Sequence, residues 1–252
     1  MALRNPIFGR LTLSLCIRIL FVWTILSTSL ICAIGAASGH PVARAVLGMA
    51  MGLVLLWVVA GGLLMRLYRD RVRAAFARIK QPWQVKFIVF CTLLILVEEL
   101  ITTGMTNLAP LFGVPIGKAY ITASSNYFDV IAFHSVIVIA PMFIGWAWLL
   151  SRYDFSPNAV FLLFGLTGTF CEVSFGGLQQ FAAFGMWTFV YGLMVYLPAY
   201  CIPRDRAARK PHWFHYPIAV FFPYLFAIPV VVAVTLLFHH PKIDFPPMTP
   251  NI

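Results

Sequence analysis

Charge is scarce in this sequence, and negative charge is scarcest. Charged residues make up 10% of the 252-residue chain, and only 8 residues are Asp or Glu. A soluble domain carries about one quarter charged residues, so a chain at this level, with 61% hydrophobic residues, has lipid rather than water as its solvent. Regular polar–apolar alternation is missing too. The apolar runs are continuous and longer than the ~10 residues of a barrel strand, which excludes a transmembrane β-barrel. The five cysteines, Cys16, Cys32, Cys91, Cys171 and Cys201, contain no Cys-x-x-Cys pair. That argues against a zinc or disulfide framework and against covalent haem, and leaves them as small apolar packing residues. There is no Walker loop, no Gly-x-Gly-x-x-Gly, no His-Glu-x-x-His, no Gly-x-Ser-x-Gly and no arginine-rich voltage-sensing span. The net charge of +10 would suggest nucleic acid in a soluble protein; here the basic residues stand between apolar runs, so no nucleic-acid partner is expected.

What is present is a series of apolar stretches, each near the ~20 residues a span requires. Seven qualify: 14–37, 45–67, 87–106, 127–150, 158–176, 181–202 and 216–238. The expected fold is an all-α, polytopic transmembrane bundle of about seven spans, with residues 1–252 forming one integral membrane domain. Fourteen basic residues fall in the segments on one side: Arg4 and Arg10, seven between Arg66 and Lys86, Arg152, and four between Arg204 and Lys210. The other side has Arg44, Lys118 and Lys242. Lysine and arginine stay on the cytoplasmic side, so this alternation predicts an N-in, C-out protein of the cell membrane. The first span also resembles a cleavable leader, with a basic start and the small residues Gly35-Ala36-Ala37-Ser38, although its apolar run from Ile19 to Ala37 is long for that role.

Trp83, Tyr153, Trp213, Phe214 and Tyr216 fall at expected cytoplasmic interfaces, where amphipathic rings are favoured. The basic stretch 66–86, with Val72, Phe76 and Ile79 interleaved, reads as a helix on the inner headgroup surface. Anionic lipid headgroups are the expected partners of segments 66–86 and 204–210, besides the bilayer itself. Gly48 and Gly52 allow close helix approach, and Pro141, Pro217, Pro223 and Pro229 remove backbone donors inside spans four and seven.

Four acids remain inside spans once Asp70, Asp154, Asp205 and Asp244 are assigned to loops: Glu98, Glu99, Asp129 and Glu172. His134 is the one histidine well inside a span. Each such group costs roughly 2.5–3.5 kcal/mol at mid-membrane unless something compensates it. In the alternating topology all five lie in the central or outer part of the bilayer, on three consecutive spans that are expected to be neighbours. They therefore define an expected outward-facing polar site. Glu98 and Thr102 are four apart, as are Glu99 and Thr103, so each acid has a hydroxyl on its own face. Asn107 continues that polar character. Glu172 sits between Gly168 and Gly176, which lets a neighbouring helix come close. Asp129 and His134 are five apart, about 140° around an α-helix, and should point different ways. Glu98, Glu99, His134 and Glu172 are the candidate ligands for a divalent cation, the one cofactor the residues suggest. Crowded carboxylates can also take up and release protons. Arg18 should snorkel to the headgroups. His239 and His240 should lie at the outer end of span seven, His212 and His215 should form an interfacial turn, and Gln179 and Gln180 should cap helix ends across a short outer turn.

The pair Glu98-Glu99 in an apolar helix, followed by His134 in the next, resembles the CAAX prenyl protease and bacteriocin-processing family. That resemblance implies a membrane endopeptidase in which a glutamate activates water. The chain departs from the pattern: Thr103 stands where the family has arginine, Val130 stands four residues before His134 in place of phenylalanine, and no later span has an internal histidine. Three readings follow: a transport or binding protein for a cation, proton or small solute, a membrane-embedded metal-dependent hydrolase, and a non-catalytic scaffold subunit.

The orientation is testable directly. A protease-sensitive tag at the C-terminus should be cleaved in intact cells, and one at the N-terminus only after permeabilisation; the opposite pattern reverses the assignment.

Overall fold

The structure, a computed structural model, describes the backbone of residues 6–238 and the side chains of 13–236. His239, His240, Arg4, Lys242 and Asp244 lie outside the described residues. Those described are almost wholly helical and contain no β-strand, only a single bridge between Tyr153 and Arg209. Seven long helices follow one another: α1 (Pro6–Ala37), α2 (Pro41–Arg78), α3 (Trp83–Asn107), α4 (Tyr127–Arg152), α5 (Pro157–Gly176), α6 (Phe184–Cys201) and α7 (His215–Leu236). Among the described residues, six stretches are long and apolar enough to cross a membrane. α3 is a further long apolar helix, and carries Glu98 and Glu99. Leu26, Leu30 and Ile34 on α1, Leu55 and Leu63 on α2, Leu93 and Leu100 on α3, and Leu225 and Leu236 on α7 are all exposed. So continuous an apolar exterior is incompatible with water and natural in lipid, which makes this a membrane protein.

The helices start and stop for local reasons. Pro41 and Pro157 occupy first-turn positions, where the missing N–H is no loss. Ser156 caps α5 by accepting from Ala159 N at 3.2 Å. Asn126 caps α4 by accepting from Phe128 N at 3.0 Å. Lys86 donates to the carbonyls of Phe76 (2.8 Å) and Ile79 (3.0 Å), satisfying the end of α2. In α7, Phe222 and Pro223 interrupt the helix. Thr167 of α5 covers the damage: its hydroxyl donates to Val220 O at 2.7 Å, while Tyr224 donates back to Thr167 O at 2.8 Å. Gly145 of α4 admits the break, since a Cβ there would lie 3.3 Å from Pro223 Cα.

The bundle centres on α5 and α6. In their spanning stretches 61% of residues are buried, against 6% in α1, which lies on the periphery. Gly165 faces the Thr188 backbone, Gly168 takes the Tyr191 ring, and Gly192 takes Phe161. Small residues thus bring these two backbones together, the packing device lipid favours. Gly48 and Gly52 of α2 receive Phe112 and Met105, so this pair packs within the chain.

One expectation fails. The basic stretch after residue 66 is not a separate helix on the membrane surface. α2 runs unbroken to Arg78, with a π-helical stretch at Val54–Gly61 from which Trp57 donates to Val190 O at 3.0 Å. Good helix formers from Leu63 to Arg78 offer no stop signal, and the exit comes at Ile79, before Gln81-Pro82. Its basic end docks on α6: Tyr200 donates to Asp70 at 2.6 Å, and the Arg69 guanidinium lies 5.2 Å from the Tyr200 ring centre. At the same end Arg206 joins two loops, bonding Asp154 at 2.6 Å and Leu150 O at 3.0 Å. His212 and His215 do form a turn, with the His212 amide donating to His215 Nδ1 at 2.9 Å.

Gly165→Leu should force the two central helices apart. We expect a loss of about 1–3 kcal/mol, seen as a lower unfolding temperature in detergent and faster alkylation of the buried Cys171. Gly104→Leu points into open space and should leave both unchanged.

Candidate functional site: a buried acidic cavity

The C-terminal halves of α3 and α5 and the N-terminal halves of α4 and α6 meet at one end of the bundle, opposite the Arg206 end. A cavity of ≈ 70 Å³ lies between them. Glu98, Glu99, His134 and Glu172 all line it. Each is buried, with 4, 6, 5 and 7% of its surface exposed. Asp129 does not line it; its side chain is 26% exposed and meets His134 from outside.

That meeting overturns the expected divergence of Asp129 and His134. Asp129 Oδ2 lies 3.6 Å from His134 Nε2. The reason is a π turn at Val130–His134, after which His134 leaves helical geometry at φ −122°, ψ −89°. Such a turn closes i→i+5 hydrogen bonds, so residues five apart stack on one face instead of diverging. The hydroxyl pattern also differs from expectation. Thr102 donates to Glu99 Oε2 at 3.0 Å, three residues back, and does not serve the Glu98 carboxylate. Spacings of three and four both place side chains together on a helix, and the Thr102 hydroxyl, held over the Glu98 and Glu99 carbonyls, sits on the nearer acid. The Thr103 hydroxyl has no partner among the described residues.

Three polar contributors were not expected. Thr122 comes from the segment between α3 and α4, which folds back over the cavity; its hydroxyl bonds Glu99 Oε2 at 3.3 Å. This segment is anchored by Val114 and Ala119, buried against Val42, Ala45 and Met49 of α2. It is tied further by Asn107, whose amide donates to Ser125 O at 2.8 Å. Ser135, next to His134, also faces Glu99. Tyr191 of α6 donates to Glu172 Oε1 at 2.5 Å. Its phenol reaches the carboxylate because Gly168, one turn before Glu172, offers no side chain in its path. Gly176 meets Gln180 instead, and Gln180 accepts from Trp187 Nε1 at 3.1 Å while Gln179 donates to Gly176 O. Glu172 Oε2 is buried with no hydrogen-bond partner among the described residues.

The electrostatics are one-sided. Glu98 interacts with both Glu99 and Glu172, and among the described residues no lysine or arginine lines the cavity. Hydrogen bonds from Thr102, Thr122 and Tyr191 supply dipoles but no compensating charge. Neutrality at this site therefore depends on protons, on His134, or on a cation that enters from outside. As for a resident metal, the four candidate ligands share the lining, yet no three His, Cys, Asp or Glu side chains among the described residues stand in an arrangement that would hold one.

Comparison with protein-family models, with curated proteins and with solved structures gives no match.

The Glu172–Tyr191 bond should be measurable as a coupling. Tyr191→Phe strips a buried carboxylate of its donor and should cost about 1–3 kcal/mol in detergent unfolding. The same change made on top of Glu172→Leu, which removes the acceptor, should cost at least about 1 kcal/mol less. Strict additivity would mean the bond is absent.

Proposed function

We propose that this chain is a multi-pass protein of the cell membrane, N-terminus cytoplasmic, that binds and moves a small cation, most simply a proton, through an outward-facing cavity formed by Glu98, Glu99 and Glu172. One observation carries the reading: three glutamates from two helices border a single buried cavity that no lysine or arginine among the described residues lines. Intramembrane acids of this kind mark ion pathways and proton relays. His134, backed by Asp129, is the group that exchanges protons with them, and Tyr191 and Thr122 orient the carboxylates.

The size of the cavity supports a small occupant. At about 10–15 Å³ for each water, ≈ 70 Å³ admits roughly five waters or an ion with part of its shell, and no acyl chain or peptide. The hydrolase reading gains no support, because a metal-dependent mechanism needs a ligand set that the described residues do not present.

The test is flux. Purified chain in liposomes, with a pH-sensitive dye inside and a potassium diffusion potential applied, should acidify or alkalinise the lumen faster than empty liposomes. Glu98→Gln with Glu172→Gln should lower that rate by at least about tenfold while unfolding temperature is retained. The reading fails if wild-type flux equals that of empty liposomes for both protons and sodium, or if the double variant carries wild-type flux.

A further inference from the structure

A second, larger hollow lies at the other end of the bundle, away from the acids. It has a volume of ≈ 720 Å³ and runs between α1, α2, α5 and α6. Its wall is of two kinds. Arg18, Arg66 and Arg69 line it, with Asn158, Tyr196 and Ser14. The larger part is apolar, including Phe21, Val22, Val59, Leu63, Phe161 and Phe189. Ser14, Ile17, Arg18 and Phe21 follow one another at spacings of three and one on α1; Val59, Gly62, Arg66 and Arg69 follow at three and four on α2. Two helical stripes therefore face the same space.

The arginines are short of anions. No Asp or Glu lines the hollow, and among the described residues neither Arg18 nor Arg66 has a carboxylate within ion-pair distance. Arg69 is partly engaged, 3.9 Å from Asp70 and over the Tyr200 ring. Asn158 lies in the first turn of α5, where free amide groups add further positive potential. Meanwhile Val22, Val59 and Leu63 are exposed, so the apolar part opens sideways toward lipid.

We propose that this groove holds one anionic phospholipid, its phosphate against Arg18 and Arg66 and its acyl chains along the apolar wall of α1 and α2. The hollow is far larger than a free phosphate and falls within the ~300–1,000 Å³ range of ligand sites. Basic pockets between membrane helices are suited to anionic headgroups. A second copy of this chain is a poor occupant, because it brings the same arginines and a net charge of +10. Gly62 gives the chains their room: a Cβ there would stand 3.6 Å from Leu193, so a larger residue is accommodated and projects into the groove.

The experiment is native mass spectrometry of the full chain released from mixed micelles containing phosphatidylcholine and phosphatidylglycerol in equal parts. Wild type should retain one phosphatidylglycerol in preference to phosphatidylcholine, and excess inorganic phosphate should not displace it. Arg18→Gln with Arg66→Gln should reduce retention by at least about tenfold. Gly62→Leu, which changes no charge, should also reduce it. Arg44→Gln with Lys118→Gln removes the same charge from exposed positions elsewhere and should leave retention as in wild type. Three outcomes would overturn the proposal: unchanged retention in the Arg18/Arg66 variant, equal loss in the Arg44/Lys118 variant, or displacement of the lipid by inorganic phosphate. So would a dimer mass that Gly62→Leu abolishes in the absence of any lipid adduct, since the groove would then belong to a second copy.

Discussion

Three carboxylates that face one another inside an apolar bundle, with no fixed cation among them, constrain everything around the cavity. Each loses its hydration on burial, and each raises the cost of charge on the others. The surrounding structure answers with hydroxyls rather than opposite charge: Thr102 and Thr122 on Glu99, and Tyr191 on Glu172. Those bonds require specific neighbours. Tyr191 needs α6 close to α5, hence glycine at 165, 168 and 192. Thr122 needs the α3–α4 connection to dip back into the protein, hence the small buried anchors Ala109 and Ala119. A lysine in place of any of these would have been the simpler way to hold the acids together; the described lining uses neutral hydroxyls instead.

The two ends of the bundle divide the electrostatic work. At the basic end two acids are individually matched: Asp154 with Arg206, and Asp70 with Tyr200 and Arg69. These contacts are at or near the surface, lie in loops or helix ends, and fasten α2, α4 and α6 to one another. At the acidic end Asp129 faces His134 at 3.6 Å, while among the described residues the three cavity glutamates are met by hydroxyls and not by a lysine or arginine.

Apolar runs made the helices readable in advance, since a helix in lipid satisfies its backbone internally and its side chains need only be apolar. The apolar runs beginning at 87, 127 and 158 place the starts of α3, α4 and α5 within a few residues of Trp83, Tyr127 and Pro157. The convergence of Glu98, Glu99, His134 and Glu172 on one cavity followed from alternation and neighbourhood alone. What escaped was whatever depended on departures from the ideal helix or on the return path of a connection. Asp129 and His134 were placed apart because 100° per residue was assumed through a stretch that winds as a π turn, and nothing in Val130-Ile131-Ala132-Phe133 announces it. Thr122 was hidden in a connection read as a loop. Tyr191 left one trace, the glycine at 168 one turn from Glu172, which says that something large approaches but not what.

The π-helical stretch in α2, at Val54–Gly61, has a consequence of its own. It divides one long rod into two sectors with separately set azimuths. Upstream, Gly52 addresses α3 and Gly48 the connection that follows it; downstream, Gly62, Arg66 and Arg69 look toward α1 and α6. Because each residue in a helix adds about 100° of rotation, the loss or gain of one residue here would leave the upstream sector seated and swing the downstream one around the axis. Length in this stretch therefore acts as an angular setting: the number of residues before the arginine-bearing half decides whether its contacts with Tyr200 of α6 can form.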